Sequence, residues 1–153
     1  MTIGIRGLCP LLQVFDMPAS LRFYRDVLGF AEVQKSGEGD EVHWAWLRHS
    51  DADLMLNTAY DDGARPPAPD APRVAAHADT CLFMSCEDLE GAYAHLVAQG
   101  VNAQPPQLAP YGMRQLYATD PDGYGLCFQW PAQQTHQQRG PAAERGDEAD
   151  EAR

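Results

Sequence analysis

The chain has 153 residues, 44% of them hydrophobic, and a formal net charge of −11. That length suits one compact domain or two very small ones. So acidic a chain lacks the basic face that nucleic acid requires, and no window approaches the run of about 18 apolar residues that a membrane span needs.

The opening stretch, "MTIGIRGLCPLLQVFD", has no basic start followed by a long apolar run, so a cytoplasmic setting is expected. A first strand is predicted over 8–16. "DMPASLRFYRDVLGF" then carries helix signals: Asp16 as a cap, an early Pro18, Leu21, Tyr24 and Leu28 at helical spacing, and Gly29 as the stop. Strands are predicted near 30–35, 42–48 and 53–58, separated by the turn signals "SGEGDE" and "HSDAD". The stretch 59–79 includes "DDGARPPAPDAPR", with four prolines in thirteen residues, and reads as an extended, semi-rigid linker. A second strand is predicted over 80–88, followed by a helix in "EDLEGAYAHLVAQGV" with Leu89, Ala92 and Leu96 on one side and Gly100 as its stop. Strands near 103–107, 113–119 and 126–130 complete the second half, the last two joined by "DPDG". From 133 to 153 the chain has no Leu, Ile, Val, Phe, Tyr, Trp or Met, so this acidic tail is expected to be flexible.

The two halves repeat at an ungapped offset of 72: Asp16 falls on Asp88, Cys9 on Cys81, and Leu54, Met55 and Leu56 on Leu126, Cys127 and Phe128. Each half reads as a βαβββ module, the first over 1–58 and the second over 80–132, which gives an α+β fold. A helix covers one face of a four-stranded sheet, and the other face needs a partner, which a second unit is expected to supply, either within the chain or across a dimer. Two curved sheets then enclose a cleft. Alternation along the strands sets Cys9, Leu11, Gln13 and Phe15 on one face and Leu12 and Val14 on the other. The same parity aims Met55 and Asn57, Cys81, Phe83 and Ser85, and Cys127 and Gln129 at the cleft. Trp44 and Trp46 share a face as either core or a stacking wall for a flat ligand. The ligand-binding set expected from this reading is Gln13, Trp44, Trp46, Met55, Asn57, Phe83, Gln115 and Cys127, with Tyr60 and Tyr111 near the cleft mouth.

The four cysteines, Cys9, Cys81, Cys86 and Cys127, form no CxxC pair and read as small apolar core residues. Asp120, Asp122 and Gly123 read as turn architecture, Arg114 as a structural partner of Asp120, and His95 as solvated.

"VFDMPASLRFYRDVLGF", "EDLEGAYAHLVAQGV" and "YGMRQLYATDPDGYGLCFQW" resemble the glyoxalase / bleomycin-resistance / extradiol-dioxygenase superfamily, also called vicinal oxygen chelate proteins. The resemblance spans roughly Leu8 to Trp130. It implies that metal-dependent members carry histidine or glutamine and glutamate where this chain has Cys9, Met55, Cys81 and Cys127. Sulfur at all four positions disfavours a hard divalent ion and its Lewis-acid chemistry, so no cofactor is expected. Three thiols and a thioether would instead suit Cu(I) or Zn(II) if they converged. The branch most resembled is the metal-free bleomycin-resistance type, which implies a homodimer that binds a cationic drug without altering it. Pro10 sits where such proteins have a proline near an exchanged N-terminal strand. The alternative is a divalent-metal glyoxalase-like lyase or dioxygenase with displaced ligands such as His77 with Gln13 or Gln129. A third reading is a thiol sensor, which would need a lowered thiol pKa at Cys9, Cys81 or Cys127.

Overall fold

The computed structural model describes residues 2–58, 60 and 64–132. The acidic tail read from the sequence lies outside the described residues. The architecture is α+β, with two four-stranded sheets. Strand β1 (Leu11–Val14) leads through Asp16 into helix α1 (Met17–Leu21), which continues as π-helical turns over Arg22–Val27. Strands β2 (Ala31–Lys35), β3 (Trp44–His49) and β4 (Ala52–Thr58) complete the first sheet in the order β1-β4-β3-β2. After helix α2 (Ala71–His77), strand β5 (Cys81–Ser85), helix α3 (Leu89–Ala98) and strands β6 (Gln107–Leu108), β7 (Met113–Thr119) and β8 (Gly125–Pro131) repeat the plan as β5-β8-β7-β6. No helix among the described residues is long and apolar enough to cross a membrane.

The duplication is present down to single hydrogen bonds. In the parallel pairs, Leu11 lies opposite Met55 and Phe83 opposite Cys127, each residue displaced by the same 72 positions. The caps repeat as well: Asp16 accepts from Ala19 N at 3.1 Å, and Asp88 from Gly91 N at 2.8 Å. Each side chain satisfies an amide that the first helical turn leaves unpaired, a contribution of about 1 kcal/mol. Beyond these elements the equivalence slips by one residue, since Trp46 faces Met55 while Tyr117 faces Cys127.

Helix α2 lies inside the stretch expected to be an extended linker. Its Asp70 cap accepts from Arg73 N, and Pro72 occupies the first turn, where its missing N–H costs nothing. The predicted strand near 103–107 shrinks to an isolated bridge between Ala103 and Ala118 and the two-residue β6.

The modules meet through their helix sides. One buried cluster joins Leu12, Val14, Leu21, Leu47, Leu54 and Leu56 of the first module to Tyr124 and Leu126 of the second, with Leu82, Met84 and Phe128 packed against it. Of the two pairings open from the sequence, the second unit of the same chain therefore does not cover the open face of the first. The helix sides carry Leu12, Val14, Leu54, Leu56 and Leu126, and burying one against the other removes these side chains from water together.

A polar hub locks the docking. Asp120 Oδ1 accepts from the backbone N–H of Asp122 and of Tyr124, and its Oδ2 accepts from the buried Tyr24 hydroxyl at 2.8 Å. Asp122 accepts from Phe15 N at 2.7 Å and from the Ser20 hydroxyl at 3.1 Å. The Tyr124 hydroxyl donates to Gln13 O at 3.2 Å. The DPDG segment is therefore architecture, as its sequence suggests, and it also joins the modules. Gly123 is required there: its φ is +91°, and a Cβ would stand 2.9 Å from Val74 O in α2.

Candidate ligand-binding faces

Because the helix sides share one core, the opposite faces of the two sheets look outward, away from each other. The first open face is built in rows. Leu11, Met55, Trp46 and Gln34 lie side by side across β1, β4, β3 and β2, and Gln13, Asn57 and Trp44 form the next row. Alternation with the buried Leu12, Val14, Ala45, Leu47, Leu54 and Leu56 fixes this facing. Asn57 Nδ2 donates to Thr58 O at 2.9 Å and reaches Gln13 Oε1 at 3.4 Å. Asp53 orients the indole edge: it accepts from Trp46 Nε1 at 2.9 Å and from Arg48 Nε at 2.8 Å, while the Arg48 guanidinium lies 5.1 Å from the Trp46 ring centroid. The Arg48 bond, followed by that of Trp46, holds the Asp53 carboxyl below its ordinary value. Asp53 is thus no idle turn residue but the group that fixes Trp46.

The second open face has Phe83, Cys127 and Tyr117 in one row across β5, β8 and β7, and Ser85, Gln129 and Gln115 in the next. Phe83 and Tyr117 are 57% and 40% exposed, yet Cys127 between them is fully buried. The thiol forms the floor of a shallow trough whose walls are aromatic. Beside it runs a chain of polar contacts. Tyr111 and Tyr117 both donate to Gln115 Oε1, at 2.9 and 3.1 Å, and Gln115 Nε2 donates to Gln129 Oε1 at 3.0 Å. The hydrogen bond with Cys127 pushes the Tyr117 hydroxyl up to about 12, so the phenol stays protonated and able to donate. Sequence reasoning did not single out Tyr117, although its parity with Gln115 in β7 was sufficient to place it on this face.

The eight residues expected to bind ligand therefore fall in two groups. Gln13, Trp44, Trp46, Met55 and Asn57 share the first face, and Phe83, Gln115 and Cys127 share the second. One chain does not bring the groups together.

The sulfur positions divide the same way. Met55 lies on the first face, and Cys9 lies just before β1, near enough to Asp53 and Arg48 to feel both charges; Cys81 and Cys127 belong to the second. Among the described residues no three His, Cys, Asp or Glu side chains converge. Four sulfurs split between diverging faces do not fit the nitrogen- and oxygen-ligated divalent ion of metal-dependent relatives. Burial raises the thiol pKa of Cys9, Cys81 and Cys127; at Cys127 the Tyr117 bond opposes this without reversing it. Raised values keep the nucleophilic thiolate scarce, against the requirement of a thiol sensor. Only Cys127 is a core residue in the expected sense, since Cys81 is exposed and Cys9 and Cys86 are half-buried.

Long-range contacts place three further residues. His77, expected beside Gln13 or Gln129, has Nδ1 2.7 Å from Asp122 O and its ring stacked on Tyr124 at 4.1 Å, and it lines a small pocket together with Gln13. Arg114 pairs with Glu90 of α3, not with Asp120. His95 is held by Val27 O at 2.8 Å rather than being merely solvated.

Residues 8–128 match the model of the Glyoxalase/Bleomycin resistance protein/Dioxygenase superfamily. The chain belongs to this superfamily. No curated protein matches it. Among solved structures it is similar to TnmS3, an antibiotic binding protein from Streptomyces sp. CB03234, at 22% identity and a TM-score of 0.64, over 86% of this chain and 100% of that one. TioX from Micromonospora sp. ML1 aligns at 18% identity and a TM-score of 0.64, over 81% of this chain and 97% of that one. A bleomycin-binding protein from bleomycin-producing Streptomyces verticillus, complexed with copper(II)-bleomycin, aligns at 20% identity and a TM-score of 0.59, over 83% and 97%. At these identities the likeness is one of fold.

Proposed function

We propose that this superfamily member is a homodimeric, metal-free binding protein that sequesters a small organic ligand, of the cationic antibiotic class, without altering it. The observation that carries the reading is the pair of outward faces. Each is lined by aromatic rings and amides where metal-dependent relatives place ligating groups, and the described residues leave each open. The first face of one chain set against the second face of another makes a cleft with Trp44 and Trp46 on one wall and Phe83 and Tyr117 on the other. Apolar burial and stacking would supply the affinity, and Gln13, Asn57, Gln115 and Gln129 the orientation. Two of the three solved structures described above are, by their names, an antibiotic binding protein and a bleomycin-binding protein. That favours binding over turnover.

The dimer has its own support. Among the described residues, strands β1 and β5 each pair on one side only, leaving edges of the kind that recruit another strand. The arm before β1 exposes Ile3, Ile5 and Leu8 almost completely. Pro10 has no N–H to donate, and its carbonyl accepts from Met55 N at 2.8 Å, so β1 begins at a residue suited to a crossing strand. In a dimer the apolar arm would be exchanged and covered. The net charge of −11 favours a cationic guest.

A thermal-shift screen tests the reading. At a ligand concentration about 100 times Kd, binding adds about 2.7 kcal/mol of stability, a rise of several degrees for a chain of this size. Bleomycin or a comparable cationic drug producing that rise supports the proposal. A rise with nickel, zinc or iron alone and with no organic ligand contradicts it.

A further inference from the structure

A cavity of ≈ 630 Å³ opens between the π-helical turns that continue α1, helix α3 and the β3–β4 turn, and reaches the β5 edge, where Phe83 and Ser85 of the second open face join its lining; no residue of the first face's rows lines it. Its floor is Leu28, Phe30, Met84, Leu96 and Phe128. Its mouth carries His49, Ser50 and Asp51 from the β3–β4 turn, Cys86 beyond β5, and His95 of α3. The volume lies within the range of about 300–1,000 Å³ that small-molecule sites occupy. Ala92 of α3 faces it, and the small side chain there keeps the space open.

The lining sets the chemistry of a guest. Among the described residues, Asp51 is the one carboxylate that lines the cavity, and neither Lys nor Arg does. His95 Nε2 lies 2.8 Å from Val27 O, and a carbonyl only accepts, so Nε2 carries the proton and Nδ1 of the neutral ring is an acceptor. His49 packs edge-on against Phe30, with ring centroids 5.6 Å apart, which holds its imidazole at the mouth. An apolar floor thus meets a mouth offering a carboxylate and an imidazole acceptor, with no fixed cation.

We propose that this cavity is a second ligand site, distinct from the first open face and sharing only Phe83 and Ser85 with the second, and that it takes a compact hydrophobic amine. The apolar body lies against Phe30, Met84, Leu96 and Phe128, and the protonated nitrogen lies at the mouth beside Asp51. An anion of the same shape would meet like charge there.

A matched pair of probes tests this: 2-(1-naphthyl)ethylamine and 1-naphthylacetate, titrated calorimetrically into the full chain. The amine should bind once per chain, with the acetate about tenfold weaker because exchange of attraction for repulsion at an exposed carboxylate is worth about 1.4 kcal/mol. Asp51→Asn should weaken the amine about threefold, half of that difference on the energy scale. Bound amine should slow alkylation of Cys86 by iodoacetamide and leave that of Cys81, on the open face, unchanged. Ala92→Phe should abolish binding, while Trp46→Ala should not affect it. Equal affinity for the acetate, protection of Cys81 instead of Cys86, or undiminished binding in a folded Ala92→Phe variant would each overturn the assignment. If Ala92→Phe does not fold, the alkylation pattern of the unaltered chain decides. Failure of bleomycin to shift melting would leave this result standing, because the readout sits at Cys86.

Discussion

Tyr24→Phe removes one oxygen from the hub that joins the modules, and its cost should depend on pH in a defined direction. The lost atom donates to Asp120 Oδ2 at 2.8 Å, and both residues are buried. Burial raises the Asp120 carboxyl above its ordinary value, while the bonds from Tyr24 and from the Tyr124 and Asp122 amides oppose that rise. With its folded value raised, this carboxyl favours folding below the unfolded pKa of about 3.9, and that contribution is lost as pH rises through the folded value. In the variant the ionised carboxylate loses a bond that water cannot replace, so the folded value rises further. At about pH 8 the penalty should be the 1.5–3 kcal/mol of a hydrogen bond to a charged group. At about pH 4, with Asp120 increasingly protonated, it should shrink toward the roughly 0.5–1.5 kcal/mol of a neutral bond. Urea denaturation of both chains at the two pH values measures the difference. A penalty equal at both, or below about 0.5 kcal/mol at the higher one, would refute the account of the hub.

Two further outcomes can be checked directly. Leu56→Ala empties a fully buried position in the shared core and should cost about 2–5 kcal/mol by chemical denaturation; a loss under about 1 kcal/mol would mean that the helix sides are not packed together. Thiol titration of the folded chain near neutral pH should modify exposed Cys81 before half-buried Cys86 and leave Cys127 silent until denaturant is added. Rapid reaction at Cys127 would contradict its place beneath Phe83 and Tyr117.

The duplication and the facing of the strands were legible in the sequence because period-2 alternation and a constant spacing are local properties. The single offset that aligned Met55 with Cys127 also aligned Leu11 with Phe83; that these stand opposite them came from the strand pairing. Helix α2 was legible in principle, since Asp70-Ala71-Pro72 repeats the Asp16-Met17-Pro18 start of α1. The density of prolines just before it masked the signal. Which side of each module would meet the other was not legible. That choice depends on the side chains of both modules that share one core and on the Tyr24–Asp120 and Phe15–Asp122 bonds, whose partners lie 96 and 107 residues apart. The partners of Arg114 and His95 depend on the same docking. The candidate faces were therefore readable row by row, whereas their outward divergence came only from the packing.

Native mass spectrometry of the full chain, with and without metal-free bleomycin, tests the central claim most directly. The account predicts a species of twice the 16.8 kDa chain mass that gains bleomycin and carries no stoichiometric metal. A persistent monomer that gains no bleomycin, or a chain holding one nickel, zinc or iron ion, would contradict it.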